Sequence, residues 1–237
     1  MPTTTTLALA IVLVALPALA TEPLTIVAFG SSTTAPRGSV DIYARVLERE
    51  LPAKGVPVKV VNSGVPGDTT VRARKRFERD VLAHKPDVVV IFLGGNDSAV
   101  DVWKGATNPR VPRPLYEKNL TYFIRTLRDR GAQTILMTPN LWRWTPKLKE
   151  LYGKPPYDVN APYGFCVSLR GHCDSVRKVA KDERVPLVDV FKAFEEYEPT
   201  TGKSIDKLFL DGMHPNSQGH RIIADLLIPK ILDIAKK

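Results

Sequence analysis

Asp211 and His214 stand three positions apart near the C-terminus and carry the side chains of an acid–base pair. Gly212 lies between them, and a proline and an asparagine follow, which are residues that favour turns. In such a turn the carboxylate can bond one ring nitrogen of the histidine and fix its tautomer, and the other nitrogen is then free to act as a base. A capped turn before the last helix would have the same spacing, so catalysis by this pair requires a nucleophile from elsewhere in the chain.

Three apolar runs in the first half of the chain end in polar or glycine-rich segments. The runs are residues 25–29, 57–61 and 87–93, and the segments after them are Gly30-Ser-Ser, Gly64-Val-Pro-Gly and Gly94-Gly-Asn. Such runs predict buried strands of a parallel sheet, and ligands bind outside the carboxyl ends of these strands. A serine on a strand-to-helix turn exposes its hydroxyl, and its backbone N–H near a helix N-terminus can stabilise an oxyanion. A glycine N–H and an asparagine amide from the next two loops can add two donors.

Helical patterns separate these strands and two further ones, at residues 134–137 and 185–190. Strands and helices therefore alternate at least four times, which predicts one α/β domain in which a parallel sheet of about five strands has helices on both faces. Ser39 and Ser217 are the expected N-caps of the first and last helices. Residues 138–165 are predicted to be a long irregular loop, and loops of this length are usually functional.

The N-terminal segment has no charged side chain over residues 1–20, and residues 7–19 form a continuous apolar run. An Ala-Leu-Ala sequence then gives small residues at the positions that a signal peptidase reads, and the run is too short for a comfortable membrane span. We therefore expect a signal peptide cleaved near Ala20 and a mature domain over residues 21–237 that is exported to the periplasm or secreted. Because the n-region has no Lys or Arg, an uncleaved N-terminal anchor is the alternative.

The formal net charge is +9, and much of the excess lies in one helical segment. Its basic residues are Arg72, Arg74, Lys75, Arg76 and Arg79. Such a run can contact an anionic polymer or a membrane surface, but it is more often the solvated face of a helix. No nucleic-acid motif accompanies it, so we expect no nucleic-acid partner and no stable membrane insertion after the leader is removed.

Cys166 and Cys173 are the cysteines of the chain. An even pair in an exported protein suggests a disulfide, yet seven residues of one continuous helix rise about 10 Å, which is too far for a bridge. A bond would therefore need Cys166 to lie before its helix begins. A metal site is not expected, because the chain has no CxxC motif and no histidine pair at ligand spacing.

Taken in order, the polar segments resemble the four sequence blocks of the SGNH hydrolases, also called GDSL esterases. The matching segments are Phe29-Gly-Ser-Ser32, Asn62-Ser-Gly-Val-Pro-Gly67-Asp-Thr, Gly94-Gly-Asn96-Asp and Asp211-x-x-His214. The resemblance spans nearly all of the mature chain and implies a flavodoxin-like three-layer α/β/α sandwich. It implies Ser32 as nucleophile, His214 as general base and Asp211 as the orienting acid. The backbone N–H groups of Ser32 and Gly67 and the amide of Asn96 would then form the oxyanion hole.

The chain departs from the family pattern at Ser31, where the family has an aspartate. Because Gly30 aligns with the family glycine, the register assigns the attack to Ser32 rather than to Ser31. The family aspartate is not a member of the triad, so its loss leaves the triad complete. The implied reaction is ester hydrolysis through an acyl-enzyme, and it needs no metal or cofactor.

The substrate expected from the sequence is an O-acetyl ester on a carbohydrate, either a small molecule or a polysaccharide. Trp142 and Trp144 in the long loop are candidate substrate-binding residues, because aromatic faces suit sugar rings. Parts of the chain resemble the rhamnogalacturonan and sialate acetylesterase branch of the family more closely than its lipase branch. The alternatives are a lipase or lysophospholipase that meets lipid through the arginine-rich helix, and a non-catalytic carbohydrate-binding protein on the same fold.

Overall fold

The computed structural model describes residues 22–236, so the expected signal peptide at residues 1–20 lies outside the described residues. Five parallel strands form one sheet. They are β1 (Leu24–Gly30), β2 (Val58–Gly64), β3 (Val88–Phe92), β4 (Gln133–Met137) and β5 (Leu187–Val188). Their order across the sheet is β2-β1-β3-β4-β5.

Helices cover both faces of this sheet. They are α1 (Tyr43–Ala53), α2 (Thr70–Asp80), α3 (Gly95–Ser98), α4 (Arg113–Arg128), α5 (Pro146–Tyr152), α6 (Val167–Glu183), α7 (Val190–Glu195), α8 (Tyr197–Thr201) and α9 (Ser217–Ala235). Alternate residues of β1 enter separate cores: Ile26 packs in the cluster that contains α1 and α9, and Val27 packs with α2 and α4. The predicted three-layer α/β/α sandwich is therefore confirmed.

The order of the strands brings three loops to one place. From β1 the chain crosses to β2 at one edge and then returns to place β3 on the other side of β1. This reversal is the point at which open parallel sheets bind ligands, outside the carboxyl ends of the strands. The segments after β1, β2 and β3 meet there, as the sequence predicts.

The fifth strand is shorter than predicted, since only Leu187–Val188 pairs with β4 rather than residues 185–190. Pro186 lacks a backbone N–H for the ladder. Asp189 ends the strand because its side chain accepts a hydrogen bond from the Lys192 N–H and caps α7.

Both predicted serine caps are wrong. Helix α1 begins only at Tyr43, with Ile42 at its N-cap position and no side-chain cap, so Ser39 lies outside the helix. At α9 the cap is Asn216, whose side-chain oxygen accepts from the N–H groups of the second and third helical residues. The Ser217 hydroxyl instead accepts from the Asp41 N–H at 3.0 Å and joins α9 to the segment before α1.

The stretch over residues 138–165 is not wholly irregular, because it contains α5, capped by the Thr145 side chain. Cys166 precedes α6, which is the position that a bridge to Cys173 would require, yet both thiols are free and buried. Burial raises the pKa of Cys166 to about 11. Among residues 22–236, no helix combines the length and apolarity needed to cross a membrane.

Candidate active site

Ser32, His214 and Asp211 form a continuous line of hydrogen bonds at the carboxyl edge of the sheet. The Ser32 Oγ lies 2.9 Å from the His214 Nε2, and the His214 Nδ1 lies 2.8 Å from the Asp211 Oδ2. The carboxylate can hold the proton on Nδ1, and Nε2 can then accept the proton of the hydroxyl. The structure thus brings together three side chains that are 182 and three positions apart in the chain.

The turn that carries Asp211 and His214 is closed by local hydrogen bonds. The N–H groups of Met213 and His214 donate to the Asp211 Oδ1 at 3.0 and 2.9 Å. Gly212 has φ 85°, and a Cβ there would lie 2.5 Å from the Arg143 carbonyl oxygen, so glycine is required on both counts. These contacts fix the carboxylate against the imidazole.

Opposing influences act on the Asp211 carboxyl. Partial burial raises its pKa, but hydrogen bonds from the His214 ring and from the backbone N–H groups of His214 and Met213 outweigh burial. The net result is a pKa well below the usual range. Asp211 is therefore ionised at neutral pH and can serve as the anionic partner of an imidazolium.

Ser32 lies in a tight turn directly after β1, not at the start of a helix as the sequence suggested. The N–H groups of Thr34 and Ala35 both donate to the Ser31 carbonyl oxygen, and α1 begins only at Tyr43. Pro36 explains the delay, because a proline at this point interrupts a helix. The hydroxyl bonded to His214 belongs to Ser32 rather than to Ser31, which agrees with the register of the sequence blocks.

The three expected oxyanion donors line the same cleft as the Ser32 hydroxyl. Within residues 22–236, neither the Ser32 nor the Gly67 N–H donates to another protein group. Gly67 has φ 78°, a left-handed conformation that favours glycine. The Asn96 Nδ2 donates one hydrogen to the Asp68 carbonyl oxygen at 3.0 Å, and its second hydrogen is available to a ligand.

The other four basic residues of α2 are exposed, as expected of a solvated helix face, but Arg76 is only 8% exposed. Its guanidinium donates to the Asp68 carboxylate and to the carbonyl oxygens of Ser63 and Gly30. These partners lie at the ends of β1 and β2, directly behind the loops of Ser32 and Gly67. One buried cation therefore ties together two of the loops that line the cleft.

Arg110 is a residue of this site that the sequence did not indicate. Its Nη1 donates to the Asn96 Oδ1 at 3.2 Å, and its Nη2 donates to the Asp101 Oδ1 at 2.6 Å. The Asn96 amide is thus held at both ends, by Arg110 on its oxygen and by the Asp68 carbonyl on its nitrogen. No sequence pattern indicates this role for Arg110, because its partners Asn96 and Asp101 lie 14 and nine positions earlier in the chain and the segment between them is not one regular element.

The cleft has a volume of about 380 Å³ and is lined by residues from all four sequence blocks. Trp142 lines it, although its side chain is only 5% exposed and packs on Phe165. Trp144 is outside the lining: its ring stacks on Phe165 at 4.4 Å and its indole N–H donates to the Asp158 carbonyl oxygen. Asn140 also lines the cleft and donates to the Met213 carbonyl oxygen, which supports the turn before His214.

No group of three or more His, Cys, Asp or Glu side chains within residues 22–236 is arranged to hold a metal ion. The chemistry available from the described residues is that of a hydroxyl, an imidazole, a carboxylate and several N–H donors around one cleft. Such a set can perform nucleophilic acyl transfer.

This fold, with its four blocks at the carboxyl edge of a parallel sheet, is that of the SGNH hydrolases. The sequence profile of the GDSL-like Lipase/Acylhydrolase family matches residues 28–222. The chain belongs to this family and is a carboxylic ester hydrolase. Family membership argues against the alternative of a binding protein without catalytic activity.

Individual proteins are also similar to this chain over most of its length. YqeF, an uncharacterized lipoprotein of Bacillus subtilis, is 32% identical over 217 residues, which are 84% of this chain and 85% of that protein. An acetylxylan esterase of Geobacillus stearothermophilus is 28% identical over 207 residues, which are 85% of this chain and 84% of that protein. A lipase/acylhydrolase of Enterococcus faecalis of known structure has a TM-score of 0.68 at 27% identity, and the match covers 88% of this chain and 95% of that chain.

Proposed function

We propose that this protein is a serine esterase that removes short acyl groups, chiefly acetyl, from carbohydrate esters. Ser32 is the nucleophile, His214 the general base and Asp211 the residue that orients it. The observation that carries this proposal is the line of two hydrogen bonds, 2.9 Å from Ser32 to His214 and 2.8 Å from His214 to Asp211, at a cleft that the expected oxyanion donors also line.

The reaction has two steps. In the first, His214 Nε2 takes the hydroxyl proton as the Ser32 Oγ bonds to the ester carbonyl carbon, and the imidazolium then gives that proton to the departing alcohol. In the second, His214 takes a proton from water, the water oxygen attacks the acyl-enzyme, and the proton returns to Ser32 as the carboxylic acid leaves. The N–H groups of Ser32 and Gly67 and the amide of Asn96 hold the oxyanion in both steps, and loss of one such donor typically costs about 2.7–4 kcal/mol in the barrier.

Two observations favour an acetylated sugar as the substrate. The Geobacillus relative is named as an acetylxylan esterase, and it matches this chain over most of both lengths. Trp142 lines the cleft, although it is only 5% exposed, and aromatic side chains suit the apolar face of a sugar ring. Trp144 has no part in this proposal, because its ring is stacked on Phe165.

The alternative of a phospholipid substrate loses part of its support in the sequence. It relied on an arginine-rich helix that would meet anionic lipid, but three of the five basic residues of α2 form ion pairs with nearby carboxylates. Arg76 and Arg72 pair with Asp68, and Arg79 pairs with Asp80. Arg74 lies over the ring of Tyr122.

The test is acetate release by the protein from 4-nitrophenyl acetate and from acetylated xylan, with 4-nitrophenyl palmitate as the lipase substrate. Ser32→Ala should abolish hydrolysis, and Ser31→Ala, the matched neighbour, should keep most of it. We expect faster turnover of the acetyl esters than of the palmitate. Activity that survives in Ser32→Ala would refute the assignment of the nucleophile, and a preference for palmitate would refute the assignment of the acyl group.

We further propose that residues 1–20 act as an export signal and that the domain over residues 21–237 works outside the cytoplasm. The uncharged apolar segment and the Ala-Leu-Ala sequence support this, and the Bacillus subtilis relative is named as a lipoprotein. N-terminal sequencing of the protein recovered from the medium or periplasm should begin near residue 21. A cell-associated product that still carries residues 1–20 would favour the uncleaved anchor.

A further inference from the structure

Arg37 lines the proposed active-site cleft on the same loop as Ser32, five positions further along the chain. It is partly buried, yet within residues 22–236 its guanidinium has no hydrogen-bond acceptor and no carboxylate partner. The nearest acid along the chain, Asp41, is bonded to Arg49 by two contacts of 2.9 and 3.3 Å. A guanidinium with five donors thus borders the cleft with its hydrogen-bonding capacity unused.

The other arginines around the cleft show that this is unusual for the molecule. Arg110, which also lines the cleft, is bonded to Asp101 and to Asn96. Arg76, behind the loops, donates to Asp68 and to backbone carbonyl oxygens. Partly or fully buried cations in proteins are normally paired, because a charged donor without a partner loses solvation without compensation.

The charged residues that line the cleft also favour an anionic ligand. Its lining includes Arg37 and Arg110 but no aspartate or glutamate, and Asp211 lies behind His214 rather than in the lining. The Arg110 charge is neutralised by Asp101, so the unpaired positive charge is that of Arg37. A concave site with one sign of charge attracts ligands of the opposite sign.

We propose that Arg37 binds a carboxylate of the substrate, so that the ester hydrolysed is carried by an acidic saccharide. This inference rests on the proposed esterase function and specifies its substrate class. The planar fork of a guanidinium matches a carboxylate with two parallel hydrogen bonds. A carboxylate in the same sugar or in its neighbour would anchor the ring while the acetyl group meets Ser32.

The test compares two forms of one substrate, an O-acetylated oligogalacturonate and the same oligosaccharide with its carboxyl groups reduced to alcohols. The protein should have a higher kcat/KM on the acidic form, and added salt should weaken this preference. Arg37→Met should reduce the ratio of the two kcat/KM values roughly 10- to 100-fold, the range expected for a charged hydrogen bond. The loss should fall mainly on KM, and Arg37→Lys should restore part of the ratio.

Arg184→Met is the matched control. Arg184 is an exposed arginine outside the cleft and without an ion pair in the described part of the chain, so its loss changes the net charge equally. The ratio should not move in this variant. Equal losses in the Arg37 and Arg184 variants would mean a general field effect, and an equal fall on both forms of the substrate in Arg37→Met would mean a role in loop structure; either result overturns the proposal.

A binding measurement separates this proposal from the esterase function. Calorimetry with the acidic oligosaccharide should give a dissociation constant roughly 10-fold or more weaker for Ser32→Ala/Arg37→Met than for Ser32→Ala, with no turnover involved. If the folded protein hydrolyses no ester, the proposed function fails, and this measurement still decides whether Arg37 binds the carboxylate. Equal binding by the two proteins would refute the role of Arg37 even if the esterase is active.

Discussion

The strand-end loops and the Asp–His turn line the same cleft, but different interactions hold them. The strand-end loops are residues 31–34, 65–69 and 94–97, and the Asp–His turn is residues 209–215. Behind the loops, the buried Arg76 bonds Asp68 and backbone carbonyl oxygens, and the fully buried Asp97 accepts from Thr70. The turn is closed by its own hydrogen bonds and by two donors from the neighbouring loop, the Asn140 amide and the Arg143 N–H, and the side chain of Asp211 is 48% exposed.

This difference predicts which property, the free energy of unfolding or the activity, a substitution in each region should lower. The loops are fixed through the interior, so a defect there should lower the free energy of unfolding. The turn is fixed locally, so a defect there should lower activity and leave the fold intact. Substitutions in the two regions can therefore test whether the separation holds.

The largest effect is expected for Asp211→Asn in the Asp–His turn. The asparagine oxygen can still accept from the N–H groups of Met213 and His214, so the turn should keep its shape. Its amide cannot accept from the His214 Nδ1, which favours the tautomer whose Nε2 carries the proton and cannot take one from Ser32. We expect kcat to fall about 10⁴-fold, as for this change in other Ser-His-Asp enzymes, with only a small loss of stability in urea because the carboxylate is half exposed.

Asp233→Asn, an exposed carboxylate near the end of α9, is the control for that experiment and should retain full activity. If Asp211→Asn kept more than a tenth of the activity, Asp211 would not be the residue that orients the base. If Asp211→Asn instead unfolded at a much lower urea concentration than the wild type, the turn would contribute to global stability as the loops do.

The parts of this site that the sequence predicts are those encoded by neighbouring residues. An apolar run predicts a buried strand, and Asp211 and His214 are close enough for their spacing to define the turn. Arg76 lies three positions after Ala73, on the buried face of the helix, but an arginine is usually solvated, and its partners at Gly30 and Ser63 lie on other elements.

The two tryptophans illustrate a second limit. Trp142 and Trp144 are two positions apart in one loop, yet one lines the cleft and the other stacks on Phe165. Which of the two rings lines the cleft depends on how the loop folds, and the amino-acid composition of the loop does not encode this. The same holds for Arg110, which becomes a cleft residue only when distant loops meet.

Arg76→Met tests the strand-end loops. The substitution removes the donors that bind Asp68 and the carbonyl oxygens of Gly30 and Ser63, and it leaves a buried carboxylate short of its main partner. Breaking a buried ion pair in this way costs about 3–5 kcal/mol in the free energy of unfolding. Urea denaturation should show a loss of this size.

Arg79→Met, on the exposed side of the same helix, is the matched control and should cost less than about 1 kcal/mol. Equal losses in the two variants would mean that α2 is held by its overall charge. A stable Arg76→Met protein with little activity would contradict the separation between the two regions.

His220 makes the helix that follows the turn sensitive to acid. Its Nδ1 accepts from the Tyr43 N–H at 3.3 Å. Burial is the main cause that lowers the pKa of His220 to about 4; the charges of Arg37 and His214 lower it further, and the charge of Asp41 opposes them. The unfolded chain binds this proton near the ordinary pKa of about 6.5, so the stabilising effect is complete above that value and is lost as the pH falls toward 4. The loss amounts to about 3 kcal/mol.

His220→Asn keeps an acceptor for the Tyr43 N–H but cannot be protonated in this range. Urea unfolding at several pH values between 7 and 4 should therefore show a smaller loss of stability in this variant than in the wild type, by about 2–3 kcal/mol. His84→Asn, at an exposed site, should follow the wild type. Parallel curves for all three proteins would show that His220 is not the acid-sensitive contact.

Arg110→Met should have the smallest effect, and it tests the boundary between the two regions. Arg110 belongs to the loop side, but it reaches Asn96 at the surface of the cleft and not through the interior. Without it, the Asn96 amide keeps its bond to the Asp68 carbonyl and loses the contact on its oxygen. We expect kcat to fall roughly 10-fold, the lower end of the range for a charged hydrogen bond, with little change in KM or in urea unfolding. Partial recovery in Arg110→Lys would assign the effect to positioning of the amide, whereas a loss of stability would place Arg110 with the interactions that hold the loops from behind.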